Sequence, residues 1–255
     1  MTADVAIVGA LVRRARNEIF RVPGAAIPGV LAPTIFMLGL TAVFSAAAQL
    51  PGFTSGDFKS YIVPVSLLQG AGFTGAATGV NLARDIEQGW FDRLLLAPAS
   101  RATILIGIVL SASLRSLMPA SLLLVVGFSL GAHFPGVDGL LIALALMMTF
   151  SAAMACWGVS LALKFRTQQA APLMQVGNFI LTLFTTAYAP KDLLTGWMRS
   201  IATVNPVTLV LEGVRQGFVG GVNAHDTWTG AVAVLGVLAV FASFAVRGLR
   251  RYADE

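Results

Sequence analysis

Hydrophobic positions in this chain run in long unbroken blocks rather than in alternation. Six blocks, at residues 27–49, 60–82, 103–130, 139–163, 171–189 and 229–248, each approach the length of about 20 residues that carries a helix across a bilayer core. Strands of a transmembrane barrel alternate apolar and polar positions, and these blocks do not. The pattern predicts an all-α polytopic membrane protein with six transmembrane helices, forming a single domain over residues 1–255. Kinks are expected where Pro33, Pro64, Pro119 and Pro172 fall in or near the spans, because proline removes a backbone donor. Gly75-x-x-x-Gly79 in the second span lets another helix approach closely, as small residues do in membranes.

The period changes outside the blocks. Across residues 4–22, Val5, Val8, Leu11, Val12, Ala15, Ile19 and Val22 fall on one helical face, with Phe20 as the exception. Arg13, Arg14, Arg16, Asn17 and Arg21 fall on the other. This is an N-terminal interfacial helix with a basic face, with an ordinary basic flank as the plainer alternative. Arg13 and Arg14 precede an apolar run ending in Ala46-Ala47-Ala48, which resembles a cleavable leader. At 23 residues, 27–49 exceeds the core of a signal peptide, which runs to about 7–15, so an uncleaved first span is expected. Residues 190–228 hold two apolar pieces, 197–204 and 207–219, separated by Asn205-Pro206. Neither piece can span, so a re-entrant outer hairpin before the last span is expected. Within it, Glu212 and Arg215 are placed i, i+3 and can pair on one helix face.

Composition agrees with the membrane reading. Hydrophobic residues make up 56% of the chain and charged ones 11%, against about a quarter charged in soluble domains. The net charge of +5 does not indicate nucleic acid, because the basic residues sit at span ends. With the N-terminus in the cytoplasm, twelve Lys and Arg flank spans inside and four outside. That asymmetry places both termini in the cytoplasm. The single cysteine, Cys156, lies in an apolar span and permits neither an internal disulfide nor a cysteine metal cluster. His133 and His225 lie in loops without zinc-protease spacing, and there is no G-x-S-x-G elbow and no G-x-x-x-x-G-K-[ST] loop. The chain is expected to be neither an enzyme nor a nucleotide binder.

One charge lies inside a span. Arg115 sits 13 residues into the third block, about 20 Å deep at 1.5 Å per residue. An arginine there costs at least about 2.5 kcal/mol, so it needs a cavity, a partner or the headgroups. Either it lines a substrate pathway, with Gln69 and Asn178 as further polar positions in spans, or it makes a structural hydrogen bond or snorkels.

Residues 84–101, RDIEQGWFDRLLLAPASR, form a polar island between two spans, with six charges in eighteen positions. Trp90, Phe91, Leu94 and Leu95 recur at i, i+1, i+4 and i+5; Gly89 permits a bend and Pro98 stops the helix. A short amphipathic helix over 84–97 is expected at the cytoplasmic surface, with an apolar docking face. Its plainer reading is an interfacial helix without a partner.

The run Arg84, Asp85, Glu87, Gly89, Trp90, Phe91, Leu94, Leu95 and Pro98 resembles the charged-glycine-helix-proline signature of ABC-2 type exporter permeases, and of the daunorubicin-resistance-like transmembrane subunits in particular. Asn205-Pro206, Glu212 and Arg215 resemble that family's outer hairpin, and the basic start its interfacial helix. The likeness covers nearly the whole chain. The family commonly has Thr after the glycine, where this chain has Trp90. The resemblance implies a subunit of the bacterial cell membrane, paired with a second permease copy or paralogue. It implies two ABC ATPase subunits that carry ATP and Mg, no cofactor on this chain, and a coupling helix at 84–97 seated in an ATPase groove. ATP-driven motion would then export a hydrophobic drug or lipid. Two other classes compete. An ion-coupled carrier is disfavoured by the lack of carboxylates deep in spans and of a clear repeat. A non-transporting scaffold would bring down no ATPase.

Overall fold

The computed structural model describes residues 9, 10, 13, 27–44, 57–96 and 100–254. Gly9, Ala10 and Arg13 are helical; the rest of the interfacial helix expected over 4–22, the end of the first span and Pro98 lie outside the described residues. All regular structure among the described residues is helical. In chain order the α-helices are α1 (Ile27–Phe44), α2 (Phe58–Glu87), α3 (Trp90–Leu95), α4 (Arg101–Arg115), α5 (Leu117–Ser129), α6 (Gly136–Phe165), α7 (Ala171–Leu183), α8 (Gly196–Val204), α9 (Pro206–Val219) and α10 (Ala224–Asp254).

Local chemistry sets most of these boundaries. The Asp57 carboxylate accepts from Lys59 N at 3.1 Å and Ser60 N at 3.3 Å, capping α2. Ser100 Oγ accepts from Thr103 N at 3.0 Å and opens α4. Pro206 occupies the first turn of α9 behind an Asn205 cap, and Pro172 does the same for α7. Both use the positions where a missing N–H costs nothing.

Among the described residues, three helices are long and apolar enough to cross a membrane: Arg101–Ser129, Gly136–Phe165 and Ala224–Ala253. The first is α4 and α5 together, broken at Ser116. Pro119 cannot donate to the Arg115 carbonyl, so the kink expected near Pro119 falls one turn earlier. Pro33 and Pro64 lie inside α1 and α2 without breaking them, and Pro172 starts a helix instead of kinking one. α2 has 30 residues but is rich in Gly, Ser and Thr, and protein covers it along most of its length. A helix sheathed by neighbours need not be uniformly apolar. The fifth block, expected as a helix over 171–189, stops at Leu183 after 13 residues, about 20 Å. Beyond it, the carbonyls of Phe184, Thr186 and Ala187 accept from the side chains of Asn205, Tyr61 and Arg215.

α2 is the axis of the bundle. α1, α5, α6, α7 and α9 pack around it. One core joins Phe58, Leu68, Phe150, Met147, Leu211 and Phe218. A second, at the end where α2, α6 and α10 finish, joins Leu82, Ile86, Phe91, Ile104, Leu163 and Leu249. Lipid is as apolar as leucine, so close packing holds such helices together. A Cβ on Gly75 would strike the Ser151 carbonyl, and one on Gly79 would strike the backbone of Gly158. A Cβ on Gly158 would lie 2.7 Å from the Ala76 carbonyl. The expected close approach at Gly75-x-x-x-Gly79 is therefore made by α6.

Candidate functional site

At the end of the bundle that holds the last turns of α2, α6 and α10, three polar contacts gather around α3. Arg84, Asp85 and Glu87 belong to the last turn of α2, not to the short helix itself. Gly89 adopts φ 66°, a conformation that suits glycine, and there the chain turns into Trp90–Leu95. The Glu87 carboxylate accepts from Thr167 Oγ1 at 2.9 Å, Gln168 N at 2.9 Å and Gln168 Nε2 at 2.5 Å. It thereby ties the end of α2 to the linker between α6 and α7. Hydrogen bonds from Gln168 and then Thr167 hold its carboxyl below the ordinary 4.5.

Tyr252, in the last turn of α10, completes the cluster. Its hydroxyl donates to Asp92 Oδ1 at 2.7 Å. Its ring meets Phe91 edge-on with centroids 5.5 Å apart. The Arg166 guanidinium lies over the same ring at 4.6 Å, from a residue whose φ of 56° ends α6 in the left-handed region. Burial first, then the hydrogen bond and charge of Asp92, push the Tyr252 phenol up to about 12.

The apolar positions of α3 divide between body and surface. Phe91 is 1% exposed and belongs to the core. Leu94 and Leu95 are half-buried against that core, and Trp90 is half-buried as well. Arg84, Arg93 and Leu96 are exposed, Leu96 at 86%. Phe91 thus anchors the helix, and the accessible surface lies on Arg93, Leu96 and the open edges of Trp90, Leu94 and Leu95. Sequence reasoning missed Arg166, Thr167, Gln168 and Tyr252. The one available signal was an aromatic residue within the charged tail Arg250-Arg251-Tyr252.

The polar residues inside the bundle pair with neighbouring side chains and backbone. Gln69 and Asn178 are buried at 1% and 0% exposure. The structure brings them together between α2 and α7: Asn178 Nδ2 donates to the Gln69 carbonyl at 3.4 Å, and Gln69 Nε2 donates to Tyr188 Oη at 2.9 Å. A Cβ on Gly72 would collide with Asn178, so this contact requires glycine there. Arg115, half-buried at the α4–α5 break, donates from Nη2 to Thr78 Oγ1 on α2 at 2.8 Å.

Asn205 and Arg215, at the cap and within α9, close the open end of α7. Asn205 Nδ2 donates to the carbonyls of Leu181 and Phe184, both at 2.8 Å. Arg215 Nη2 donates to the Thr186 carbonyl at 2.9 Å and the Ala187 carbonyl at 3.4 Å. Its guanidinium lies 3.7 Å from the centre of the Tyr61 ring, while Tyr61 Oη donates to the Thr186 carbonyl at 2.7 Å. Glu212, half-buried one turn earlier, acts on Arg215 only through its charge. Arg215 therefore turns to backbone where a pair with Glu212 was expected.

A family model described as ABC-2 type transporter matches residues 7–219. The chain is 25% identical over 223 residues to the daunorubicin resistance ABC transporter permease protein DrrB1 of Streptomyces coeruleorubidus, covering 86% of this chain and 77% of that protein. It is 26% identical over 197 residues to the probable doxorubicin resistance ABC transporter permease protein DrrC of Mycobacterium tuberculosis, covering 76% and 70%. It is 26% identical over 224 residues to a Cyanophora paradoxa protein carrying the provisional name transport permease ycf38, covering 86% and 74%. With helices long and apolar enough to cross a membrane, a short helix pinned between α2 and α4, and a family match over most of its length, this chain belongs to the ABC-2 type transporter family of membrane permeases.

Proposed function

We propose that this chain is the membrane subunit of an ATP-driven exporter that moves a hydrophobic or amphiphilic substrate, drug or lipid-like, out of the cytoplasm or inner leaflet. The observation that carries the reading is a short helix, α3, pinned by Glu87 and Tyr252 at one end of a bundle that matches the ABC-2 family. In this reading the end bearing Arg84, Arg93, Arg101, Lys164, Arg166, Arg247, Arg250 and Arg251 faces the cytoplasm of a bacterial cell, with both termini there. The six crossings are α1, α2, α4 with α5, α6, α7 with its unwound end, and α10. α8 and α9 form the re-entrant outer hairpin, and Asn205 and Arg215 stabilise its contact with α7.

Two permeases, identical or paralogous, form the membrane core and two ABC ATPases with ATP and Mg bind below. The open face of the coupling segment seats in a groove of the ATPase, as amphipathic helices commonly do. Because α3 is fixed to the ends of α2 and α10, a displacement of the ATPase reaches both helices directly. Gln69, Asn178 and Arg115 meet the substrate only when the helices around α2 part. Resistance to daunorubicin and doxorubicin is named for two relatives, which favours a hydrophobic drug or a lipid over a small ion.

Co-expression with candidate ABC ATPases tests this reading. One ATPase should co-purify and its hydrolysis should respond to hydrophobic substrates; transport without any ATPase would overturn it. Arg115→Met tests the pathway separately. Normal folding with unchanged transport would remove Arg115 from it.

A further inference from the structure

Beside the α3 cluster, residues of α6 and α10 line a cavity of about 530 Å³. Its rim carries four cations, Lys164, Arg166, Arg247 and Arg251, and its floor includes Trp157 and Phe244. None of the residues lining it is acidic. Lys164, Arg247 and Arg251 repel one another around one hollow, and a bound anion would relieve that repulsion. The floor has a different character. Trp157 packs on Phe241 with ring centroids 5.5 Å apart, and the wall continues along α10 through Phe244 and Val240, 45% and 51% exposed. α10 is one of the helices able to cross a membrane, so this apolar wall lies where acyl chains run.

We propose that this cavity binds the phosphate headgroup of an anionic phospholipid of the cytoplasmic leaflet, with one acyl chain along Phe244 and Val240. The inference rests on the topology proposed above. A cation rim that passes into a lipid-facing apolar wall matches a phospholipid end to end, whereas an acidic protein segment would leave the wall uncovered. The lipid would sit against Arg166 and Tyr252, which touch the coupling helix, and so would brace the surface the ATPase uses.

Native mass spectrometry of the delipidated full chain in detergent, titrated with phosphatidylglycerol or phosphatidylcholine, tests the site. Phosphatidylglycerol should be retained in preference. Arg247→Gln, Arg251→Gln and Lys164→Gln should each weaken that binding about fivefold, while Arg247→Lys should keep it. Equal retention of both lipids, or unchanged preference in a triple glutamine variant that elutes as a single species, would overturn the proposal. Displacement by inorganic phosphate at comparable concentration would overturn it too, because the site would then take a small anion. The leaflet is tested apart, by labelling Ala253→Cys in a Cys156→Ala background with an impermeant maleimide. Protection in intact cells is expected; labelling from outside would overturn the cytoplasmic assignment and the topology, leaving the titration to judge the cavity.

Discussion

The Tyr252 hydroxyl is a donor to Asp92 while its ring packs on Phe91, so hydrogen bond and packing can be separated by substitution. Tyr252→Phe keeps the ring and removes a partly exposed hydrogen bond, at a cost of about 1 kcal/mol. Transport coupled to hydrolysis should fall in this variant while its thermal midpoint moves little. The same bond has a pH limit. The folded phenol is raised from 10.0 to about 12, so its contribution is full below pH 10.0 and is lost as pH rises through about 12. A difference titration of phenolate absorbance between the wild type and Tyr252→Phe reads this directly. Glu87 behaves in the opposite sense. Its carboxyl lies below its ordinary 4.5, so the tie to the α6–α7 linker is present above pH 4.5 and is lost as pH falls through the folded value. Glu87→Ala should remove hydrogen-exchange protection from the Gln168 amide at neutral pH; retained protection would show that the linker holds itself.

At the scale of elements, the close packing of α2 on α6 is a stronger constraint than the apolar content of either. Gly79→Leu inserts a side chain where the backbone of Gly158 already lies, and overpacking of this kind costs about 1–3 kcal/mol or more. Thermal unfolding in detergent should show a large drop for Gly79→Leu and a smaller one for Gly158→Ala. The end of α7 depends on shared donors. Tyr61 and Arg215 both donate to the Thr186 carbonyl, so Tyr61→Phe alone should be mild. Arg215→Met leaves the Ala187 carbonyl without its donor, about 1–3 kcal/mol for a buried acceptor. The double variant should lose more than the sum of the two, since only then is Thr186 also abandoned. These elements also show what the sequence reveals. Six long apolar blocks exposed seven of the helices, the third block covering both α4 and α5, and Pro119 pointed to the break at Ser116. The polar island revealed the short helix, because a cluster of charges between two spans must lie outside the bilayer core. The early end of α7 was hidden: the carbonyls of Phe184, Thr186 and Ala187 beyond it accept from Asn205, Arg215 and Tyr61, which stand at distant positions in the chain. Phe91 looked like a contact residue for a similar reason, since its partner Tyr252 lies at the far end of the chain.

For the whole molecule, the proposed coupling requires that a force on one short helix reach the bundle. α3 has six residues, far below the length at which an isolated helix is stable, so its position is set by what it touches. Those contacts run to α2 through Gly89, to α10 through Asp92 and Phe91, and to the core through Leu94 and Leu95. Two substitutions separate transmission from docking. Phe91 is buried and Leu96 is 86% exposed. Phe91→Ala should destabilise by about 3–5 kcal/mol, as for other buried aromatic truncations, and should loosen α3 even without a partner. Leu96→Asp should leave stability within about 0.5 kcal/mol, as surface changes do, yet abolish co-purification with the ATPase. If Leu96→Asp assembles and transports like the wild type, the open face of α3 is not where the ATPase binds. If Phe91→Ala retains full coupling once folded, the ATPase moves the bundle through some other contact. The expected pairing, an intact but uncoupled Leu96→Asp and a loosened Phe91→Ala, would identify α3 as a lever fixed at its base by Phe91 and gripped on its open face.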